Sequence, residues 1–375
     1  MYDYSERLES FRDQKVRLSS ELSDRLLAHR QANRDRLIAR LPEEIEGISI
    51  GVSSFKPQGS FAMQTVIQTR FKEEEYDIDD GLVLWKHQLV NKAGIEFTAI
   101  EVKEKVREAL KDERFNRQPR LCTNCVRVFY ADTDEEKHHV DFPVYRSWVD
   151  VNGNKHRELA GESKWETSDP TQVTVWFDKI VQTRNAANEG YGTQVRHLVQ
   201  LLKRFCRSRP DTEWDLPNGM KLTMLVAECQ PDYHTRIDIA FRELLNNLEI
   251  RLRISKMIRN LAHPEKPVIT RTESDRNVVE LQNRCKEAID KLEELDKPGN
   301  DNPDSARSVW DWIFKSDGLL KELDDKRKEE EEKKKDLLNK AALIGLGAKT
   351  SGSGIIGTSG ISNLSHKFYG DKHQE

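Results

Sequence analysis

A short acidic motif followed by an apolar run constrains the fold of this chain more than any other feature. Residues 77–81 read DIDDG, and residues 82–85, LVLW, follow without a break. A continuous apolar run of this kind is typical of a buried strand. Because side chains alternate between the two faces of a strand, Asp77 and Asp79 share one face and Asp80 lies on the other. The motif therefore predicts a buried strand that directs two carboxylates toward one point.

Two other segments supply groups suited to phosphate chemistry. Gln58, Gly59 and Ser60 form a turn before a predicted helix. Glycine lets a phosphate approach the backbone, serine offers a hydroxyl donor, and the first amides of a helix favour anions. Residues 138–145 predict a strand that directs Asp141 away from an apolar stripe. We expect Asp141 to join the carboxylates of the acidic motif.

Carboxylates in this arrangement suit Mg²⁺ or Mn²⁺, and three of them could hold two ions about 3.5–4 Å apart. A Ca²⁺ loop or a polar turn is the alternative for residues 77–81. A Ca²⁺ loop would need further ligands and a glutamate at its twelfth position, but apolar residues and then Lys86 and His87 follow. The motif on its own leaves these alternatives open, and Gly59, Ser60 and Asp141 together favour the divalent metal site.

The composition excludes several classes of protein. Charged residues make up 34% of the 375 residues, but the net charge is only -4, so no global basic field would recruit a nucleic acid, and no stable nucleic-acid partner is expected. No apolar window is long enough for a membrane span and no signal peptide is recognisable, which predicts a cytoplasmic protein. The five cysteines do not suggest a disulfide framework. Cys122 and Cys125, with two histidines downstream, leave half of a zinc site as an alternative.

The pattern of elements predicts an α+β fold. Residues 4–41 predict one long helix, 48–52 a short strand, 56–59 a turn and 60–66 a helix. A hairpin is predicted from 125–130 and 138–145, and strand signals nearly vanish after residue 168. Further helical patterns cover 98–110, 171–185, 193–208, 222–228, 235–261, 273–295 and 306–338. A sheet lobe and a helical C-terminal lobe with the active site in the cleft between them are therefore expected.

Four ordered blocks of sequence resemble a known superfamily. They are residues 58–61 (QGSF), 76–81 (YDIDDG), 139–145 (HVDFPVY) and 168–170 (SDP) with the Trp176-Phe177 pair. Their order and spacing are similar to those of the DNA polymerase β-like nucleotidyltransferases, and within them to the DncV-type branch of the bacterial cGAS/DncV-like enzymes of anti-phage signalling. The resemblance covers roughly residues 45–230.

The resemblance implies roles for individual residues. Asp77, Asp79 and Asp141 would be the catalytic residues and the metal ligands, and Asp141 would also act on the acceptor hydroxyl. The remaining implied nucleotide contacts are Gln58, Gly59, Ser60, Lys203 and Thr223 for the donor triphosphate, and Arg127, Ser168 and Asp169 for the acceptor nucleotide. Met63 and residues 207–214 depart from the branch near positions that read the base.

We therefore expect a Mg²⁺-dependent (or Mn²⁺-dependent) synthase that joins ATP and/or GTP into a cyclic di- or oligonucleotide for a product-sensing effector protein. Two alternatives stay open: a linear nucleotidyltransferase acting on RNA or protein, and an inactive scaffold of the same fold. The expected domains are 1–165 (N-terminal helix and catalytic core), 166–338 (helical lobe) and 339–375 (a flexible Gly/Ser-rich tail that could bind a regulatory partner). The mixed-charge residues 321–336 predict a solvated helix.

Overall fold

A computed structural model describes residues 1–71, 74–131, 137–263, 269–270 and 272–347. The chain divides into two compact units, Met1–Leu323 and Asp324–Glu375. Within the first unit, strands and helices build two hydrophobic cores. The predicted α+β class is confirmed.

The N-terminal segment contains two helices where the sequence predicts one. Helix α1 (Ser5–Phe11) continues into a π-helical turn (Arg12–Val16), and α2 (Ser20–Glu44) follows. The chain is extended at Arg17, and the Ser19 side chain caps α2 by accepting a hydrogen bond from the Leu22 amide at 3.2 Å. The prediction of one helix over 4–41 is wrong because this cap starts a new helix.

The segment before the acidic motif also differs from its prediction. Strand β1 (Phe55–Gln58) and the short helix α3 (Gly59–Ala62) replace the predicted strand at 48–52, the turn at 56–59 and the longer helix at 60–66. Strand β1 pairs antiparallel with β2 (Tyr76–Trp85), and this pairing, which joins distant parts of the chain, has no local sequence signature. The strand predicted from the acidic motif is confirmed as β2.

Strand β2 lies at the centre of one mixed sheet. Helix α4 (Ala99–Leu110) follows it, and the later strands are β3 (Arg120–Leu121), β4 (Val126–Ala131), β5 (Lys137–Phe142), β6 (Val144–Val149), β7 (Lys155–Ala160) and β8 (Trp165–Thr167). The sheet order is β3-β4-β5-β2-β6-β7-β8, with β1 also paired to β2. Strands β5 and β6 pair parallel to β2 in one continuous register, whereas β1 pairs antiparallel to it. The predicted hairpin is confirmed as β4 and β5, whereas β3, β7 and β8 were not predicted.

One face of the sheet is covered by α2 and α4. Ile78 on β2 and Val140 on β5 share a core with Leu37 on α2 and Val106 on α4. Because the side chains of Asp77, Asp79 and Asp141 alternate with these apolar residues, they lie on the opposite face.

The second core is helical. It is built from α5 (Gln172–Ala187), α6 (Tyr191–Cys206), α7 (Gly219–Cys229), α8 (Ile237–Ile254), α9 (Arg276–Glu293) and α10 (Pro303–Phe314). Tyr4 and Leu8 of the N-terminal segment are fully buried in this core, and the Asp238 carboxylate accepts a hydrogen bond from the Tyr4 amide at 3.0 Å. Residues that begin the chain thus pack with elements that follow the sheet.

The final helix, α11 (Leu319–Gly347), is separate from α10. The helix predicted over 306–338 is interrupted at three residues with positive φ, which are Lys315, Asp317 and Gly318. Residues 328–339 are exposed along α11, in agreement with the predicted solvated helix. The helix includes residues 339–347 of the predicted tail, and residues 348–375 lie outside the described residues. Every helix in the described part of the chain is too short or too polar to cross a lipid bilayer.

Candidate active site

Two parallel strands bring the predicted carboxylates together. In the register of β2 and β5, Asp77 is the neighbour of His139 and Asp79 is the neighbour of Asp141. Asp79 is also the neighbour of Gln58 on β1. Side chains that are neighbours across a ladder share a face, so the acidic motif, Asp141 and the turn after β1 meet on one face of the sheet.

Asp79 lies directly against Gly59. A Cβ atom placed on Gly59 would stand 2.0 Å from Asp79 Oδ2, and Gly59 has a φ of 69°. Both the contact and the backbone conformation therefore require glycine. Burial, and then the charges of Asp77 and Asp141, raise the pKa of Asp79 to about 7. Negative charge is thus concentrated where a cation would relieve it.

The structure adds His139, to which the sequence analysis gave no role. One ligand atom from each of Asp77, His139 and Asp141 lies within 4.8 Å of the others. Burial lowers the pKa of His139, but Asp77 and Asp141 offset this and leave the pKa raised. His139 lies two residues before Asp141 on β5, so strand alternation alone could have indicated that it faces the carboxylates.

The residues of this group fit a divalent metal. His139 Nδ1 lies 3.0 Å from Glu75 Oε2, whereas the buried Nε2 makes no hydrogen bond although Asp77 Oδ1 is 3.2 Å away. Two neighbouring ligands of one octahedral ion with bonds of about 2.1 Å would stand about 3 Å apart. The set differs by one residue from the predicted Asp77, Asp79 and Asp141, because the Asp79 carboxylate is turned toward Gly59.

Arg127 forms a two-point ion pair with Asp141. Its Nε donates to Oδ1 and its Nη2 to Oδ2, each at 2.8 Å, and the two residues are direct neighbours across β4 and β5. The hydrogen bonds to Asp141 raise the pKa of Arg127, so the guanidinium stays charged. Arg127 therefore lies on the same face as Asp141, while its contact with a nucleotide stays a prediction.

Gln58, Ser168 and Tyr145 meet beside β2. In the orientation that satisfies its amide, the Gln58 nitrogen donates to the Tyr145 hydroxyl at 3.3 Å and its oxygen accepts from the Gly81 amide at 3.2 Å. Burial raises the pKa of Tyr145 to about 12, against the opposing hydrogen bonds from Gln58 and Ser168. The Asp169 carboxylate accepts from the Thr171 amide at 2.9 Å and from Arg157. Asp169 thus supports the start of α5 in this structure.

Lys203 reaches the chain that follows α3. Its Nζ donates to the Thr65 carbonyl at 2.9 Å, and burial together with Arg207 lowers the pKa of Lys203 to about 7. Gly219 packs against the same lysine, because a Cβ on Gly219 would lie 3.4 Å from Lys203 Nζ. Thr223 donates to the Gly219 carbonyl at 2.8 Å. Lys203 of α6 and Thr223 of α7 thus both have Gly219, the first residue of α7, as a neighbour.

Asp80 lies on the other face of β2, as predicted. Arg34 of α2 donates to both of its oxygens, at 2.5 and 2.6 Å, and Asp80 is fully buried. A buried two-point ion pair of this kind fixes α2 against the sheet. Asp80 therefore supports the strand that carries the site and does not belong to the site itself.

The alternative zinc site does not form in the described part of the chain. Neither cysteine of the C-x-x-C motif belongs to the group of candidate metal ligands. Burial, and then the Asp141 charge, raise the pKa of the Cys125 thiol. His138 lies 2.7 Å from His29, on the face opposite His139. His138 and His139 therefore lie on opposite faces of β5 and have different contacts.

Comparisons with known proteins agree with this geometry. Residues 53–145 match the family model of the nucleotidyltransferase domain of cyclic GMP-AMP synthase DncV-like proteins. The fold is similar to Vibrio cholerae DncV cyclic AMP-GMP synthase with a linear pppA(3′,5′)pG intermediate, with a TM-score of 0.63 at 16% identity over 84% of this chain and 96% of that chain. It is also similar to the same protein with nonhydrolyzable GTP, with a TM-score of 0.64 at 16% identity over 84% and 96% of the two chains.

The matched family segment runs from the residues before β1 to the start of β6 and so contains the acidic motif, Gly59 and Asp141. The structural likeness extends beyond this segment into the helical lobe. The matched segment thus resembles a DncV-like nucleotidyltransferase domain, and the chain as a whole shares the fold of DncV.

Proposed function

We propose that this protein is a Mg²⁺-dependent synthase that joins ATP and/or GTP into a cyclic di- or oligonucleotide. The observation that carries the proposal is the adjacency of Asp79 and Asp141 on parallel strands, with Asp79 held against Gly59. This arrangement joins a carboxylate pair to a turn at which a phosphate can approach the backbone.

The proposed reaction is a nucleotidyl transfer. A ribose hydroxyl of the acceptor attacks the α-phosphorus of the donor, a new O–P bond forms, and the bond to the leaving pyrophosphate breaks. Asp141 is the proposed acceptor of the hydroxyl proton, and Arg127 holds its carboxylate in one orientation. A second transfer within the linear product would close the ring.

Asp77, Asp79 and Asp141 are the proposed metal ligands, with His139 in contact with Asp77. Divalent ions held there would supply positive charge to the triphosphate and favour the deprotonated hydroxyl. Mg²⁺ is the proposed ion because it prefers carboxylate and phosphate oxygens, and Mn²⁺ accepts the same ligands together with imidazole.

The donor triphosphate is proposed to lie between the two lobes. Gln58, Gly59 and Ser60 would contact it from the sheet side, and Lys203 and Thr223 from the helical side. Lys203 would exchange its hydrogen bond to Thr65 for phosphate oxygens, and the phosphate charge would favour its protonated form. Arg127, Ser168 and Asp169 are the proposed contacts of the acceptor nucleotide.

The similar structures support a cyclic product. These are a cyclic AMP-GMP synthase from Vibrio cholerae with a linear dinucleotide intermediate, and forms of that protein bound to GTP or to 3′-deoxy ATP. We further propose that the product acts in the cytoplasm as a second messenger of anti-phage defence and is sensed by an effector protein. The C-terminal tail is proposed to bind a regulatory partner.

The test uses purified full-length protein with all four NTPs, singly and in pairs, and Mg²⁺ or Mn²⁺. A phosphatase-resistant product identified by mass spectrometry is expected from wild type and from Asp35→Asn, a matched change at an exposed position on α2. Asp79→Asn is expected to yield none.

Other outcomes would support the alternatives. If the products were phosphatase-sensitive, or if label appeared on RNA or protein, a linear nucleotidyltransferase would be the better proposal. If wild type and Asp79→Asn were equally inactive under every combination, the proposal would fail in favour of an inactive scaffold.

A further inference from the structure

A basic cavity lies away from the carboxylates, among the π-helical turn, α2, α3 and α6. Its volume is about 870 Å³, which is within the range of sites for small organic ligands. Four arginines line it, together with His197 and two aspartates; the arginines are Arg12, Arg17, Arg30 and Arg196. The cavity thus has an excess of positive charge in a chain whose net charge is -4.

Two of these arginines lack an ion-pair partner within the part of the chain that the structure describes. Neither Arg17 nor Arg30 forms an ion pair or a side-chain hydrogen bond among the residues that the structure describes. The other two are held in place, Arg12 by Asp13 at 2.7 Å and Arg196 by Asp178 at 3.5 Å. The pKa of His197 is lowered to about 3 by burial and then by the charges of Arg12, Arg17 and Arg196. His197 is therefore neutral at pH 7, and its lowered pKa is consistent with the positive charge of the cavity.

The cavity also offers an apolar wall. Phe61 of α3 lines it together with Leu18, Leu27 and Val66. The Arg30 guanidinium lies 5.9 Å from the centre of the Phe61 ring. An arginine beside an aromatic ring suits a ligand that is both planar and anionic, because the ring packs on apolar surface and the charges meet guanidinium groups.

Helix α6 connects this cavity with the proposed donor site. Arg196, Gln200 and Lys203 follow one another at spacings of four and three residues and so lie on one face. They donate in turn to three successive carbonyls of the chain after α3: Met63 at 3.4 Å, Gln64 at 3.1 Å and Thr65 at 2.9 Å. We name these residues the 63–65 loop.

Arg196 and Gln200 line the cavity, and Gln200 also accepts from buried Arg12 at 3.1 Å. Gln64 in the loop has a φ of 59°, a conformation that non-glycine residues seldom adopt. A ligand that attracts Arg12 or Arg196 would therefore alter the hydrogen bonds that these residues make directly or through Gln200 to the 63–65 loop. This loop is strained, and its last residue, Thr65, accepts a hydrogen bond from Lys203.

We infer that the cavity is a second ligand site for a nucleoside phosphate, whose phosphates meet Arg17 and Arg30 and whose ring packs on Phe61. Occupancy of this site is linked to Lys203 through the 63–65 loop. Because the site is separate from the carboxylates, the inference does not depend on the product proposed above.

The experiment uses photolabelling of the full-length protein with 8-azidoadenosine diphosphate in EDTA, followed by peptide mapping. Label is expected in residues 17–30 or 193–200. Arg17→Glu is expected to reduce it at least about tenfold. Lys15→Glu is the matched control, since Lys15 is exposed, lies two residues before Arg17 and does not line the cavity. Label confined to β2 and β5, or equal label in both variants, would overturn the second site.

Two additional arms test the ligand class and the link to Lys203. Unlabelled ADP is expected to compete at least about tenfold better than inorganic pyrophosphate, which has no ring to pack on Phe61; equal competition would overturn the assignment to a nucleoside. Amide hydrogen exchange across residues 63–66 is expected to change on addition of ADP in wild type and Lys15→Glu but not in Arg17→Glu. No change in wild type would overturn the link. Retained circular dichroism and thermal unfolding of Arg17→Glu establish that the variant is folded.

Discussion

Gly59 and Asp79 are so close that no side chain larger than hydrogen fits between the two residues. A Cβ on Gly59 would meet Asp79 Oδ2 at 2.0 Å. This contact connects the turn after β1 to a carboxylate on the central strand. Gly59 is required both because a Cβ would clash with Asp79 and because its φ is positive. A substitution at a second glycine with positive φ but no clash separates these two causes.

Gly59→Ala is expected to displace Asp79 and to lower kcat at least about 100-fold, because small errors in the placement of a reacting group cost rate on this scale. Gly94→Ala is the matched control. Gly94 has a φ of 76°, and nothing lies within 4 Å of a Cβ there. The control therefore carries backbone strain of about 1 kcal/mol without the clash. Steady-state kinetics and thermal unfolding of both variants would check this; equal loss of activity in both would contradict it.

The raised pKa of Asp79 predicts an unusual dependence of stability on pH. Its folded pKa of about 7 is above its ordinary value of 3.8, so its contribution to stability is fully present below pH 3.8 and is lost as the pH rises through 7. Asp79→Asn removes this titration. In EDTA at pH 8 the variant is expected to unfold at a higher temperature than wild type, by at least about 3 °C, with a smaller difference at pH 5.

Asp80→Asn is the control for that experiment, because it changes the adjacent carboxylate on the opposite face. It removes a charge from the buried pair with Arg34 and is expected to lower the unfolding temperature at both pH values. If the two variants changed stability in the same direction at pH 8, the stated surroundings of Asp79 would be wrong.

His139→Gln is expected to weaken Mn²⁺ binding about 10- to 100-fold, since the imidazole contacts Asp77 and lies within the group of candidate ligands. Electron paramagnetic resonance of free Mn²⁺ measures this without any turnover. His138→Gln alters the adjacent histidine, which contacts His29 on the other face. Unchanged Mn²⁺ affinity in His139→Gln would remove His139 from the site.

Lys203→Met is expected to lower kcat/KM for the donor nucleotide about 10- to 100-fold, the loss of one hydrogen bond to a charged group, chiefly through KM. Thr223→Val is expected to have a smaller effect, since the Thr223 hydroxyl already donates to the Gly219 carbonyl within α7. Initial rates of pyrophosphate release over a range of NTP concentrations would compare the two. A larger loss in Thr223→Val would reverse the proposed order of their contacts.

The face on which each carboxylate of β2 and β5 lies was predictable, because it depends only on neighbouring residues in the chain. The alternation of side chains along β2 separates Asp79 from Asp80, and the same rule applied to β5 directs Asp141 away from Val140. The apolar run after the acidic motif identifies a buried strand for the same reason. Errors arose where a cap or a long-range pairing decided the element, as at Ser19 and at β1.

The sequence by itself determined the α+β class, the carboxylates on one strand face and the glycine turn before them, because each depends on residues close in the chain. Only the tertiary structure decided that Arg127 pairs with Asp141, that His139 joins Asp77, and that Lys203 reaches Thr65. These contacts depend on strand register and on the packing of a helix against a distant loop, which no local periodicity specifies. The basic cavity has the same origin, since its arginines come from the π-helical turn, the extended residue after it, α2 and α6.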